Sequence, residues 1–107
     1  MKQFSIVVIM HNQWERTQAL LESIVKHTDS GKADLFLWDN ASTESLAGAW
    51  CVDMDAGYHN EPENIGFGLA VNKAASMVEG DYLVVVNNDG LITSDDWLPQ
   101  LLSLIHI

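Results

Sequence analysis

Tyr82-Leu83-Val84-Val85-Val86 runs straight into Asn87-Asn88-Asp89, and this stretch decides how the rest of the chain is read. Apolar residues without alternation, most of them β-branched, predict a strand covered on both faces, as in a parallel sheet. Sheets of that kind meet their ligands beyond the carboxyl ends of the strands, near the switch in strand order. The polar residues after Val86 therefore stand at a favoured place.

Upstream the same pattern recurs. Phe4 to Met10 is β-branched and almost entirely apolar, a second strand of the buried type. Asn12 followed by Glu15 resembles a capping pair that opens a helix. In that helix Trp14, Leu21 and Val25, flanked by Leu20 and Ile24, recur at helical spacing. Lys26 and His27 suit its last turn, with Gly31 just beyond. Leu35 to Trp38 predicts another short buried strand, ending at Asp39. Asn40 to Thr43 then turns into a brief helix over Glu44 to Trp50. A weak strand is expected over Gly57 to His59. A helix follows over Leu69 to Glu79, with Ala70, Ala74, Met77 and Val78 inward and Gly80 as its stop. A last amphipathic segment covers Trp97 to Ile105. Alternating strands and helices predict an α/β fold, a Rossmann-like, mostly parallel sheet with flanking helices.

Composition narrows the functions. At 107 residues the chain is one small domain. Five Lys and Arg against 15 Asp and Glu give a net charge of −10, which argues against nucleic acid as the main partner. With 48% apolar and 19% charged residues, the balance argues against a disordered acidic tail. Cys51 stands alone, so no internal disulfide forms, and a small buried hydrophobe is its expected role. The run Phe4 to Met10 is far short of the roughly 20 residues that cross a bilayer. With one Lys before it and no cleavage site, no signal peptide is expected and the chain reads as cytoplasmic.

Chemistry-bearing residues gather at three strand ends: His11-Asn12, Asp39 to Thr43, and Asn87 to Asp89. Asp39 either accepts hydrogen bonds from a ribose or base or, with Ser42 and Thr43, caps the next helix; the local sequence leans to the cap. Asp89 beside two amides suits Mg2+ or Mn2+, which keep waters and share a site with a diphosphate. An Asn-Asp-Gly turn closing on Gly90 explains the same residues, and both readings can hold together. In Asn64-Ile65-Gly66-Phe67-Gly68, glycines ahead of a helix allow close approach of a ligand, and a helix N-terminus favours an anion. A tight loop is the simpler account. His11, His27, His59 and His106 lack ligand spacing, so no zinc site is read. Asp95 and Asp96 most simply cap the last helix.

Four segments, in order, resemble family-2 glycosyltransferases of the GT-A fold, in their N-terminal nucleotide-sugar-binding half. Ser5 to Asn12 resembles the opening strand that usually ends in Tyr-Asn. Leu37-Trp38-Asp39-Asn40-Ala41-Ser42-Thr43 is similar to "VVDNGST". Glu63 to Asn72 resembles "ENxGFAxAxN", and Gly80 to Asp89 resembles "GDYxxxLNND", a variant of the Asp-x-Asp motif. The resemblance implies that Asp39 contacts the uracil or ribose of a UDP- or dTDP-type sugar donor, with His11 and Asn12 lining the base pocket. Asn64, Gly66 and Asn72 would shape the donor pocket, with Ser42 in the same binding set. Asn88 would sit beside the ribose or sugar, and Asp89 would hold the divalent cation.

Three departures qualify that picture. His11 stands where the family has Tyr. Asn87 takes the first acidic position. The sequence stops about one helix after the motif, so the general base and the acceptor half have no counterpart here. The expectation is thus the donor-binding portion of an inverting glycosyltransferase, residues 1–107, inactive alone. Polysaccharide or glycolipid synthesis is its setting, in the cytoplasm or peripheral to a membrane. A phospho-receiver domain is disfavoured because His11-Asn12 supplies no acidic pair; a non-catalytic acidic interaction module is the stronger rival. The apolar segment of Trp97, Leu98, Leu101, Leu102, Leu104, Ile105 and Ile107 suggests a homodimer that buries this end.

Overall fold

The computed structural model describes residues 3–29, 31–42, 46–87 and 97. In chain order these are β1 (Phe4–Met10), α1 (Trp14–His27), β2 (Ala33–Asn40), α2 (Ala47–Asp53), β3 (Gly57–Glu61), α3 (Phe67–Ala75) and β4 (Tyr82–Asn87). The strands form one sheet in the order β3-β2-β1-β4. All its pairings are parallel, so the α/β architecture is the expected one.

β1 lies between β2 and β4 and is buried along its whole length, because helices cover both of its faces. Its side chains alternate between two cores. Phe4, Ile6, Val8 and Met10 join Leu20, Leu21 and Ile24 of α1 and Ala47 and Cys51 of α2. Val7 and Ile9 join Trp38 beneath Ala70 and Ala74 of α3. Cys51 is the buried apolar group its sequence suggested, and burial pushes its thiol from 9.0 up to about 11.

Several expected details differ. The Asn12–Glu15 cap does not form; Gln13 holds the cap position with no side-chain cap bond. Asn12 and Gln13 are both left-handed, at φ 57 and 55. A capping side chain needs an extended backbone at its own residue, which this conformation denies. The buried stripe of α1 is Thr17, Leu20, Leu21 and Ile24, which leaves Val25 at its rim, 39% exposed. α2 begins at Ala47 because Ala47 and Cys51 are the inward pair; Glu44 lies outside the described residues. β3 runs two residues further than expected, pairing Asn40 with Glu61. α3 starts earlier, at Phe67, because Gly66 at φ 83 breaks the chain just before it. It ends at Ala75, where Ser76 donates its hydroxyl to the Lys73 carbonyl at 2.6 Å. Ala70 and Ala74 face inward as expected and Val78 packs against the α3-side core, but Met77 lies past the helix and is exposed.

Gly80 is therefore no helix stop. Its N–H donates to Ser5 Oγ at 2.7 Å, and a Cβ there would come within 2.6 Å of the Ser5 main-chain nitrogen. Among the described residues no helix is long and apolar enough to cross a membrane. Trp97 packs against the α1 side, its indole donating to Thr28 Oγ1 at 2.9 Å. Gly90, Asp95, Asp96 and the apolar residues 98–107 lie outside the described residues.

Candidate functional site

Parallel strands bring their carboxyl ends to one edge, and β1, β2 and β3 finish there in register: Met10 beside Asp39, Asp39 beside Asn60. Successive residues point to opposite faces. Asp39 and Asn40 therefore serve different sides of the sheet.

Asp39 is 1% exposed, and both carboxylate oxygens are engaged. Oδ1 accepts the Ser42 N–H at 3.0 Å, and Oδ2 accepts the Tyr58 hydroxyl at 2.8 Å. Burial and then this bond to Asp39 push the Tyr58 phenol well above its ordinary range. Ser42 Oγ in turn accepts the Asn12 N–H at 2.7 Å. One chain of bonds so ties the ends of β3, β2 and β1, with left-handed Ala41 at φ 61 between Asp39 and Ser42. Asp39 caps this loop. The expected cap on the next helix does not form, since α2 has Leu46 at its cap position and no side-chain cap bond.

Asn40, 3% exposed, organises the other face. Its Nδ2 donates to Asn64 Oδ1 at 2.9 Å and to the Gly66 carbonyl at 3.4 Å. Its Oδ1 accepts Ile65 N–H at 3.2 Å and Trp38 Nε1–H at 3.4 Å. Asn64 Oδ1 also takes the Gly66 N–H at 3.0 Å, so the loop before α3 is held in one shape. Among the described residues no buried side-chain polar atom lacks a partner.

Between these loops lies a cleft of about 410 Å³, lined by Ile9, His11, Gln13, Asn40, Asn64, Gly66 and Phe67. Three sequence candidates meet there: His11, Asn64 and Gly66. Asn12 adjoins it through the His11 ring, and Ser42 supports Asn12 from behind. Asp39, turned to the other side of the sheet, and Asn72, exposed on α3, are not among the lining residues. Asn88 and Asp89 lie outside the described residues, as does Thr43. Tyr58 and Gln13 carried no role in the sequence reading, and Asn40 and Phe67 entered it only as members of their segments. For Asn40 the available signal was its parity, opposite to that of Asp39 on the same strand.

Among the described residues, His11 is the sole titratable side chain in that lining. The amides, the imidazole, the aromatic face and the aliphatic floor among these described residues suit a polar ring with hydroxyls. Among the described residues no group of three or more His, Cys, Asp or Glu is placed to hold a metal ion.

A single parallel sheet with a polar cleft at its carboxyl edge defines the doubly wound α/β class. The sequence profile of "Glycosyl transferase family 2" matches residues 5–106, and the chain belongs to that family. Solved structures share the fold. S. aureus TarS 1-349 in complex with UDP is 22% identical, with 99% of this chain and 32% of that one covered at a TM-score of 0.81. Its complex with UDP-GlcNAc gives 23%, 99%, 31% and 0.79. The mannosyltransferase PcManGT from Pyrobaculum calidifontis, in complex with GDP-Man and Mn2+, gives 20%, 88%, 29% and 0.76. The chain thus spans about a third of the length of these structures. No curated protein sequence matches it significantly.

Proposed function

We propose that this chain is the nucleotide-sugar-binding part of an inverting glycosyltransferase, residues 1–107 forming its donor half. The observation that carries the reading is the cleft at the ends of β1 and β2, built by Asn40 and lined without a carboxylate among the described residues. An anionic donor meets no repulsion from that lining, although the chain as a whole carries −10. Its solved neighbours with UDP, UDP-GlcNAc and GDP-Man support the choice of ligand class.

In this reading His11 and Asn12 face the base of a UDP- or dTDP-type sugar. Asn64, Gly66 and Asn72 shape the pocket, and Asp39 with Ser42 secures the base-side loop. Asn88 sits by the ribose or sugar, and Asp89 holds Mg2+ or Mn2+. β4 brings Asn87 into register with Ile9, a residue of the cleft, and Asp89 comes two residues later in the sequence. A single carboxylate with donor phosphates suits an ion that keeps its waters. Bound there, the ion would neutralise charge on the departing nucleoside diphosphate. A base supplied from beyond this chain would deprotonate the acceptor hydroxyl for a single displacement. Polysaccharide or glycolipid synthesis at the cytoplasmic side of a membrane is the proposed setting.

Titration calorimetry with UDP and dTDP, with and without Mn2+, tests the reading. Metal-dependent binding that Asp89→Asn abolishes is expected. Absence of nucleotide binding under every condition overturns the donor role, and equal affinity in Asp89→Asn overturns the metal assignment.

A further inference from the structure

The amide of Asn40 has no choice of orientation. Its oxygen meets the Ile65 main-chain N–H at 3.2 Å and the Trp38 indole N–H at 3.4 Å, two groups that only donate. Its NH2 must turn the other way, where it meets Asn64 Oδ1 at 2.9 Å and the Gly66 carbonyl at 3.4 Å. The orientation passes on to Asn64. Asn64 Oδ1 accepts from Asn40 and from the Gly66 N–H, which again only donates, so its NH2 is the end left over. Asn64 is exposed and lines the cleft, and among the described residues no acceptor meets this NH2.

Position 40 needs an amide, and a side chain of the same shape does not suffice. All four of its hydrogen-bonding places are filled, at a residue only 3% exposed, where an unmet polar group is costly. A carboxylate there would still accept from Ile65 and Trp38 but would set a second oxygen against the Gly66 carbonyl. It would also draw the Asn64 NH2 inward and turn the Asn64 oxygen out, reversing what the loop offers a ligand.

We infer that Asn40 is a positioning residue for the donor: it sets the polarity of Asn64, so that the loop before α3 offers N–H groups to an oxygen of the nucleotide. Asn64's place in the pocket belongs to the donor-binding reading, on which the inference rests. Asn40 acts through the amide of Asn64 and governs which end of it the ligand meets. A base carbonyl, a ribose hydroxyl and a phosphate oxygen share the acceptor chemistry.

Calorimetry of the 107-residue chain with UDP and Mn2+ tests the coupling in the parent, Asn40→Asp, Asn64→Ala and the double variant. Asn40→Asp should weaken binding about tenfold in the parent background and about twofold or less beside Asn64→Ala. An equal loss in both backgrounds, or none in the first, overturns the inference. Protonation supplies a rescue within one variant. Below about pH 5 the introduced carboxyl gains an O–H that donates to Asn64 Oδ1, so affinity relative to the parent at the same pH should recover. Asp39 next in the chain and Glu61, its register partner on β3, favour that proton by like charge. His11 on the main-chain carbonyl of position 40 and His59 on Glu61 are common to both proteins and cancel in the ratio. A ratio flat with pH overturns the inference. Nitrogen NMR of the parent needs no variant: UDP should shift the side-chain NH2 of Asn64 far more than that of Asn40. An unmoved Asn64 NH2 in a chain that binds UDP overturns the inference. Coupling already present with uridine assigns the acceptor to base or ribose, and coupling that requires UMP or UDP assigns it to a phosphate. Failure of UDP to bind at all removes the donor reading together with this one. UDP binding without coupling between Asn40 and Asn64 removes this one alone.

Discussion

The two faces of the sheet do different work. On the α1 and α2 side, large side chains meet: Ile6 and Met10 against Leu20, Leu21 and Ile24. On the α3 side, Ala70 and Ala74 sit over Val7, Ile9 and Trp38. The first face buries more hydrocarbon and supplies most of the stabilisation, which scales with apolar area removed from water. The second brings a short helix close to the sheet, and where its apolar contacts end, the amide network of Asn40 takes over. Stability and the cleft are thereby placed on opposite sides of the same strands, and the division falls between two adjacent residues, Asp39 and Asn40.

That contrast can be broken most directly at Leu20. Leu20→Ala should cost about 3 kcal/mol or more in urea denaturation, since it empties a fully buried site. A loss under about 1 kcal/mol would mean the α1 face is not the main support. Asn40→Ala comes next, at about 2–3 kcal/mol, because it strips partners from the Trp38 indole and the Ile65 amide. Its amide NMR shifts should change chiefly at Asn64 to Phe67; shifts spread over α1 instead would contradict the division.

Tyr58→Phe should cost about 1 kcal/mol, with the Asp39 loop loosened and the cleft loop untouched. Tyr58 and Cys51 together set a pH dependence. Both Tyr58 and Cys51 are raised above their ordinary values in the fold. Each contributes stability that is complete below its unfolded value and lost as pH rises through the folded one. For Cys51 that window runs from 9.0 to about 11, so unfolding free energy should fall across it. The decline should be shallower in Cys51→Ala, and an identical slope would refute the linkage. The smallest effect is expected at Val52, 80% exposed on α2, where Val52→Asn should stay within about 0.5 kcal/mol.

The existence of the strands was legible because β1 and β4 are nearly continuous apolar runs, a signal that needs no tertiary context; their order in the sheet was not. The family resemblance was legible for the same reason, its motifs riding on those strand ends. The start of α1 was not. Asn12 is a fair capping residue by local chemistry, but its backbone is claimed by Ser42, 30 positions away. The bounds of α3 moved because Gly66 and Ser76 end it at both sides, whereas apolar periodicity alone carries on to Val78. At the site, His11, Asn64 and Gly66 could be named from their positions. Asn40 could not, because its importance depends on which face it meets, and Asp39 sounded more reactive beside it. Tyr58 was hidden by the weakness of β3, a short edge strand with little apolar content.

The central position of β1 also sets an order of biosynthesis. Phe4 pairs with Ala33 across one helix, but with Tyr82 only after every other described element has been made. As the chain leaves the ribosome, the β1–β2 edge that holds Asn40 and His11 can form while β4 is still being translated. β4 then enters beside a finished strand, through the tight junction of Gly80 with Ser5. A side chain at position 80 would hinder this last docking and leave the earlier pairing intact. In stopped-flow refolding, Gly80→Ala should slow the final phase alone, and slowing of the earliest phase would show that β4 joins sooner.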